Sequence, residues 1–280
     1  MSFEKESYVV LTYLWTIQLI PGHEIVGVVT KMGKHVTGLS IGDRCVVEPI
    51  VSVGYRVLLL YECSHPTFSA VYVSNVIEER RIYANPGQVL DSAKNVYKIG
   101  NLTDEQAALV EPMSCVLHGI DMLKHTAGAE VLVLGAGPAG QLFCQLLKVN
   151  GAIKIVLASN KGRKMEISKQ IDAANEYIEF DRDKSDSQWT DLKQRYPDGF
   201  DIVIEATGSE EVLNKAIYHV RRGGTFLMYS LYASSCTIQW PAVYVFSQEI
   251  QIATAFAQSH CFSRAIAYLE SGRIRTEGIL

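Results

Sequence analysis

Val131-Leu132-Val133-Leu134-Gly135-Ala136-Gly137-Pro138-Ala139-Gly140 decides the fold. Its first residues, with Glu130, make a short apolar strand of the kind buried on both faces. Three glycines follow at the spacing G-x-G-x-x-G, and the apolar pattern then turns helical to about Val149. Strand, glycine turn and helix in that order give each glycine a task. Gly135 allows a tight turn, Gly137 lets backbone approach a pyrophosphate, and Gly140 lets helix and strand pack closely. Pro138 falls in the first helical turn, where a missing N–H costs little. Phosphates would meet free N–H groups and the positive helix end. Gly135, Gly137, Pro138, Ala139 and Gly140 are therefore candidate cofactor contacts. The alternative is an ordinary strand-to-helix turn that binds nothing.

Working outward, strands alternate with helices at a regular spacing. Strands are expected at Ile153–Leu157, Tyr177–Phe180, Asp201–Glu205, Thr225–Tyr229 and Ile250–Ala255. Helices are expected up to Ile171, over Trp189–Arg195, over Glu210–Val220 (ended by a Gly223-Gly224 turn) and over Phe262–Leu269. This pattern implies a parallel sheet covered on both faces, an α/β doubly wound fold. The end of the second strand is where a dinucleotide ribose is read, usually by Asp or Glu when the cofactor is NAD. Here the chain has Ser159-Asn160-Lys161-Gly162-Arg163 and no acid. Ser159 and Asn160 can bond a hydroxyl or a phosphate, and Lys161 and Arg163 can face a 2′-phosphate, which leans the reading to NADP over NAD. Solvated loop charges are the plainer explanation. After the fourth strand, the small residues of Glu205-Ala206-Thr207-Gly208 either admit a nicotinamide ribose, with Thr207 beside it, or simply start the next helix.

Residues 1–118 read mostly as strands and turns, with a Val-rich strand at Ile25–Lys31 and a turn at Gly42-Asp43 before another strand. Val51 to Gln88 yields no periodic element. Thr103 is a helix cap with Gln106 as its capping-box partner. The division is a first domain over 1–118 and a nucleotide-binding domain over 119–280. Two domains agree with 280 residues, and 48% apolar residues suffice for a sizeable core. A net charge of −4 disfavours nucleic acid as a partner. The apolar run Tyr8–Ile20 is too short to span a bilayer and reads as a strand, so no membrane is expected. Six cysteines without CxxC spacing point to a reducing, cytoplasmic compartment.

Pro21-Gly22-His23-Glu24 sets an imidazole beside a carboxylate, and Glu111-Pro112 adds another carboxylate much later. Nitrogen and carboxylate oxygen both suit zinc. Three such ligands and an open position would ionise a bound alcohol and favour hydride transfer to nicotinamide. Glu24 either ligates or orients the other ligands. Cys115, one turn after Glu111, either offers a thiolate or packs. The Cys63/His65 pair is read as incidental, and His260-Cys261 as a surface or helix-start feature.

The blocks Pro21 to Gly27, Gly42-Asp43-Arg44, Glu111-Pro112 and Gly135 to Gly140 resemble the zinc-containing medium-chain alcohol dehydrogenase family. Asn150-Gly151-Ala152, Phe200 to Ser209 and Val220 to Thr225 resemble its fungal polyol dehydrogenases, the D-arabinitol type in particular. The resemblance implies a Rossmann domain joined to a GroES-like β domain, here partial. It implies NAD(P)- and zinc-dependent oxidation of an alcohol or polyol, with His23, Glu24 and Glu111 as catalytic and metal residues. It also implies a homodimer or homotetramer, with the stretch Phe246 to Phe256 near the dimerisation strand. The chain departs from the family in having no cysteine in residues 1–20 and only Cys63 where a structural zinc site stands, so no structural zinc is expected. Val53-Gly54-Tyr55 resembles a remnant of that site, and the segment near Ile77 to Ala84 is altered. The alternatives are a catalytically impaired nucleotide-binding relic, a truncated product, or a zinc-independent reductase.

Overall fold

Antiparallel pairing organises the first half of the chain. A computed structural model describes residues 23–32, 36–53, 56–59, 70–77, 89–181, 185–257 and 260–280. The readings of Tyr8–Ile20, Gly54-Tyr55, Cys63 with His65, and residues 78–88 lie outside the described residues. Strands β1 (Ile25–Met32), β2 (Arg44–Val47), β5 (Ala70–Ile77), β6 (Val89–Ser92) and β7 (Val96–Lys98) form one sheet in the order β6-β5-β1-β2-β7. Strands β3 (Ile50–Val53) and β4 (Arg56–Leu59) pair as a separate ribbon. Three strands thus lie in the stretch after Ile50 where the sequence offers no periodicity. The longest, β5, is held between β1 and β6, so distant partners define it rather than a local pattern.

The side chains of β1 and β2 divide between two cores. Val29, Cys45, Val47 and Val96 form a small cluster on one face. Val26 and Val46 join the large cluster that includes Leu109 and Val110. Asp43, in the Gly42-Asp43 turn, accepts from the Ser40 N–H at 2.8 Å and pairs with Lys98 at 2.7 Å. Arg44 donates to the Leu102 carbonyl at 2.6 Å and pairs with Asp104, fixing β2 against the start of helix α1 (Asp104–Ala108). Thr103 caps that helix with the expected box: Thr103 Oγ1 accepts from Gln106 N–H at 3.2 Å, and Gln106 Oε1 accepts from Thr103 N–H at 3.0 Å. Helix α2 (Val110–Asp121) follows at once and runs unbroken through residues 118 and 119, where the sequence divides the two domains.

The second half alternates as expected: β8 (Glu130–Leu134), α3 (Pro138–Val149), β9 (Lys154–Asn160), α4 (Arg163–Gln170), β10 (Glu176–Phe180), α5 (Ser185–Arg195), β11 (Phe200–Glu205), α6 (Glu210–Ala216), β12 (Val220–Met228), α7 (Ala242–Ser247), β13 (Gln251–Thr254) and α8 (Phe262–Glu270). All six strands are parallel, in the order β10-β9-β8-β11-β12-β13. Val131 and Val133 pack into one core while Leu132 and Leu134 pack into the other, as period two demands of a strand covered on both sides. Two expectations are corrected. The helix begun at Glu210 stops at Ala216, passes through a 3-10 turn over Ile217–His219, and Val220 already belongs to β12. Gly223-Gly224 is then an irregularity within β12, with Gly223 at φ 76°, rather than a turn before it. Cys261 is fully buried at the start of α8, so it is a helix-start residue and not a surface one. Among the described residues no helix is long and apolar enough to cross a membrane.

Candidate active site

In the parallel sheet the chain leaves β8 in one direction to build β9 and β10, then returns to build β11 to β13 on the other side. The reversal lies between β8 and β11, and open sheets of this kind bind ligands outside the carboxyl ends of their strands at that point. Leu134, Glu205 and Met228 stand in register there, at the ends of β8, β11 and β12.

The glycine turn leaves the end of β8. Gly135 has φ 110°, and a Cβ on it would lie 2.7 Å from the Ala206 carbonyl oxygen. A Cβ on Gly140 would lie 1.8 Å from the Gly135 carbonyl oxygen, so α3 crosses the turn in direct backbone contact. Gly137 caps α3 in extended conformation, and a Cβ there meets nothing within 4 Å. Two glycines thus serve internal packing, and the third faces open space where a ligand's phosphates can come close to backbone. Gly137, Pro138 and Ala139 are half-buried, presenting the start of α3 to that space. The first N–H groups of a helix lack intrahelical partners and favour an anion. Gln141 braces the turn from within, donating to the Ala136 carbonyl at 2.9 Å and the Lys164 carbonyl at 3.2 Å.

At the end of β9, Ser159 is half-buried and in register with Glu179 of β10, while Asn160, Lys161 and Arg163 are exposed. Glu179 pairs with Lys169 at 2.5 Å. Among the described residues no ion pair is formed by Lys161 or Arg163, and no carboxylate occupies the ribose-reading position.

Thr207, expected beside the cofactor, is exposed, but its hydroxyl is turned inward. It donates to Glu205 and accepts from the Ser209 N–H at 3.1 Å, while its methyl lies 3.0 Å from where a Gly135 Cβ would be. The sequence shows Glu205 only as the end of an apolar strand. The structure places its fully buried carboxylate under the loop, bonded also to Tyr232. A carboxylate closing the apolar run Ile202-Val203-Ile204, two residues before Thr-Gly, is the signal the sequence offers; Tyr232 has none.

The adjacent pair His23 and Glu24 meets Glu111, which lies far along the sequence. β1 begins just after Glu24, and Glu111 sits in the first turn of α2. One ligand atom from each lies within 4.8 Å of the others, an arrangement that can hold a metal ion. His23 Nε2 is 3.8 Å from Glu111 Oε2. His23 is exposed and Glu111 buried, so the group opens to solvent on the imidazole side. Burial pushes the Glu111 carboxyl up, and Glu24 adds to this, while His23 and Cys115 oppose it. Cys115 does not join the group: its thiol, pushed up by burial, donates to Glu111 Oε1 at 3.5 Å. That contact occupies one carboxylate oxygen and leaves the other toward His23. Two carboxylates and an imidazole at this separation, one carboxylate desolvated, match the nitrogen and oxygen donors zinc accepts. When bound, the ion would polarise an alcohol oxygen.

The sequence matches two family models, the alcohol dehydrogenase GroES-like domain over residues 6–69 and the zinc-binding dehydrogenase over residues 138–271. D-arabinitol dehydrogenase 1 of Uromyces fabae is 45% identical over 262 residues, covering 94% of this chain and 74% of that protein. A Sinorhizobium meliloti protein described as a zinc-binding dehydrogenase bound to NADP superposes with a TM-score of 0.74 at 23% identity, over 91% of this chain and 73% of that one. 2R,3R-butanediol dehydrogenase of Bacillus subtilis superposes with a TM-score of 0.68, also at 23% identity, over 90% and 69%. At that identity the two structures show the shared fold. The family models and the fungal relative go further: this chain belongs to the zinc-binding, NAD(P)-dependent medium-chain alcohol and polyol dehydrogenases, a family of oxidoreductases.

Proposed function

We propose that this chain oxidises a secondary hydroxyl of a sugar alcohol such as D-arabinitol, with NADP preferred over NAD, at a zinc ion held by His23, Glu24 and Glu111. The observation that carries this reading is the convergence of those three ligand atoms within 4.8 Å. With zinc and cofactor bound, the nicotinamide would accept the C–H hydride and water the hydroxyl proton, leaving a ketone. Glu111 and Glu24 supply the negative charge that retains a cation, and His23 supplies the neutral nitrogen donor. Gly135, Gly137, Pro138, Ala139 and Gly140 receive the pyrophosphate. Ser159, Asn160, Lys161 and Arg163 receive the adenosine ribose, and the lack of a carboxylate there removes the repulsion a 2′-phosphate would meet. The site is assigned to a catalytic unit of residues 1–118 and a nucleotide-binding unit of residues 119–280, acting in the cytoplasm.

A homodimer accords with the outer edge of β13, which pairs with no other strand among the described residues, and the exposed apolar residues Leu231, Val243, Phe246, Ile252 and Phe256 around the last part of the sheet. A second reading, dinucleotide binding without turnover, is favoured by Cys115, whose thiol holds one Glu111 carboxylate oxygen and stays outside the ligand group. Zinc-supplemented protein mixed with D-arabinitol and NADP decides between the two. Growth of the reduced-nicotinamide absorbance, lost in Glu111→Ala, supports the dehydrogenase. Tight cofactor binding with no absorbance growth on any pentitol or hexitol supports the second reading.

A further inference from the structure

We infer that Glu205 is a positioning residue for the nicotinamide half of the cofactor, its buried carboxylate holding together three segments that wall the crevice at the switch point. The inference rests on the reading of the glycine turn as a dinucleotide site. Glu205 has no solvent exposure. Its Oε1 accepts from the Thr207 N–H at 2.7 Å, the Gly208 N–H at 3.2 Å and the Thr207 hydroxyl, and its Oε2 accepts from the Tyr232 hydroxyl at 2.6 Å. Gly208 N–H is shared with Oε2 at 3.3 Å. Between them these bonds fill most of the sites a carboxylate offers.

Stability alone gives little reason for such a group. A buried carboxylate is costly to desolvate. Its distinctive consequence is geometric. The loop it grips presses on the glycine turn, with Ala206 O and the Thr207 methyl at 2.7 Å and 3.0 Å from a Cβ placed on Gly135. Gly208, at φ 72°, lies so close to the next segment that its own Cβ would be 2.7 Å from the Leu231 carbonyl oxygen. Tyr232 then ties that segment, which follows β12, to the same carboxylate. The turn after β8, the loop after β11 and the segment after β12 are therefore set by one side chain. The residues after β9, read as the ribose site, lie on the other side of the switch point, and none of them bonds to the Glu205 carboxylate among the described residues. Glu205 and Tyr232 therefore act on the half of the cofactor beyond the pyrophosphate.

The test uses the full chain as wild type, Glu205→Gln, Glu205→Ala and Tyr232→Phe. The probes are NADPH, NADH and 2′-phospho-ADP-ribose, which lacks nicotinamide. Tyr232→Phe removes one hydroxyl and keeps the ring, so it carries the test should Glu205→Ala fail to fold. The expected result is roughly tenfold weaker NADPH or NADH binding in Tyr232→Phe and at least that in Glu205→Ala, with 2′-phospho-ADP-ribose held within about twofold. Glu205→Gln recovers part of the loss, because its amide oxygen still accepts from Thr207 and Gly208. Equal losses for both classes of ligand would make Glu205 merely structural, and unchanged NADPH and NADH binding would remove its role; either overturns the inference. Wild type that binds none of the probes overturns it differently, by removing the dinucleotide site itself.

Discussion

Adding a single methyl group at Gly140 tests why the glycine turn is built as it is. The new Cβ would fall 1.8 Å from the carbonyl oxygen of Gly135 and 3.0 Å from its carbon. Both are backbone atoms, so no side-chain rotation relieves the collision. Non-bonded carbon and oxygen need more than about 3 Å, so α3 must retreat from β8 by over about 1 Å. That helix is anchored by Leu142, Phe143, Leu146 and Leu147, all fully buried, and its retreat opens gaps across the larger core. Overpacking costs about 1–3 kcal/mol and occasionally more, and a backbone collision belongs at the upper end. Alanine's helix propensity returns at most about 1 kcal/mol over glycine. The net expectation for Gly140→Ala is a loss of roughly 2 kcal/mol, or a Tm lower by about 5 °C or more, with weaker dinucleotide binding. Gly137→Ala is the matched control. Its Cβ meets nothing within 4 Å and its φ is −69°, so melting should match wild type while NADPH affinity falls roughly tenfold, the methyl standing where the pyrophosphate approaches. Circular-dichroism melting and titration of reduced-cofactor fluorescence read both. Gly140→Ala melting at or above wild type refutes the close-packing argument, and Gly137→Ala binding like wild type refutes the approach argument.

Further outcomes follow from other parts of the molecule. His219 is buried against Trp189, its Nδ1 has no hydrogen-bond partner among the described residues, and burial, helped by Lys193, pushes its pKa down to about 4. Unfolded, the imidazole protonates near its usual value of about 6.5, so the unfolded chain binds more protons between about pH 4 and 6.5. Stability should therefore fall as pH drops through that window, by roughly 3 kcal/mol at full effect, and denaturant unfolding of His219→Phe should show a flatter slope; an unchanged slope refutes the assignment. Glu111→Gln should weaken zinc at least tenfold in a chelator competition, and unaltered affinity would remove Glu111 from the ligand group. Phe246, 83% exposed, should when changed to Glu shift a dimer toward monomer in sedimentation; wild type that stays monomeric over a wide concentration range contradicts the dimer.

What could be read in advance was what local chemistry dictates. Three glycines in a strand-turn-helix frame have separate steric reasons; Gly135 and Gly140 meet theirs in close backbone packing, and Gly137 faces open space. The Thr103 and Gln106 box is likewise complete within four residues. Features made by distant partners were not legible. β5 has no pattern of its own because β1 and β6 define it, and the bonds of Glu205 reach a tyrosine 27 positions on. Thr207 was placed at the right strand end, yet its hydroxyl faces inward because a buried carboxylate competes for it more strongly than solvent does. The proposed metal ligands lie between these extremes. His23, Glu24 and Glu111 were weak as spacing, and resemblance singled them out before the fold brought them together.

The proposed function requires a cation at His23, Glu24 and Glu111 and a dinucleotide on the Gly135 turn within one cleft. A crystal structure of the protein grown with zinc and NADPH, with anomalous diffraction at the zinc edge, tests it most directly. The expected result is an anomalous peak among those three side chains, the pyrophosphate at the start of α3, and the nicotinamide ring facing the metal. Zinc bound elsewhere, or phosphates away from Gly135 to Gly140, would contradict it.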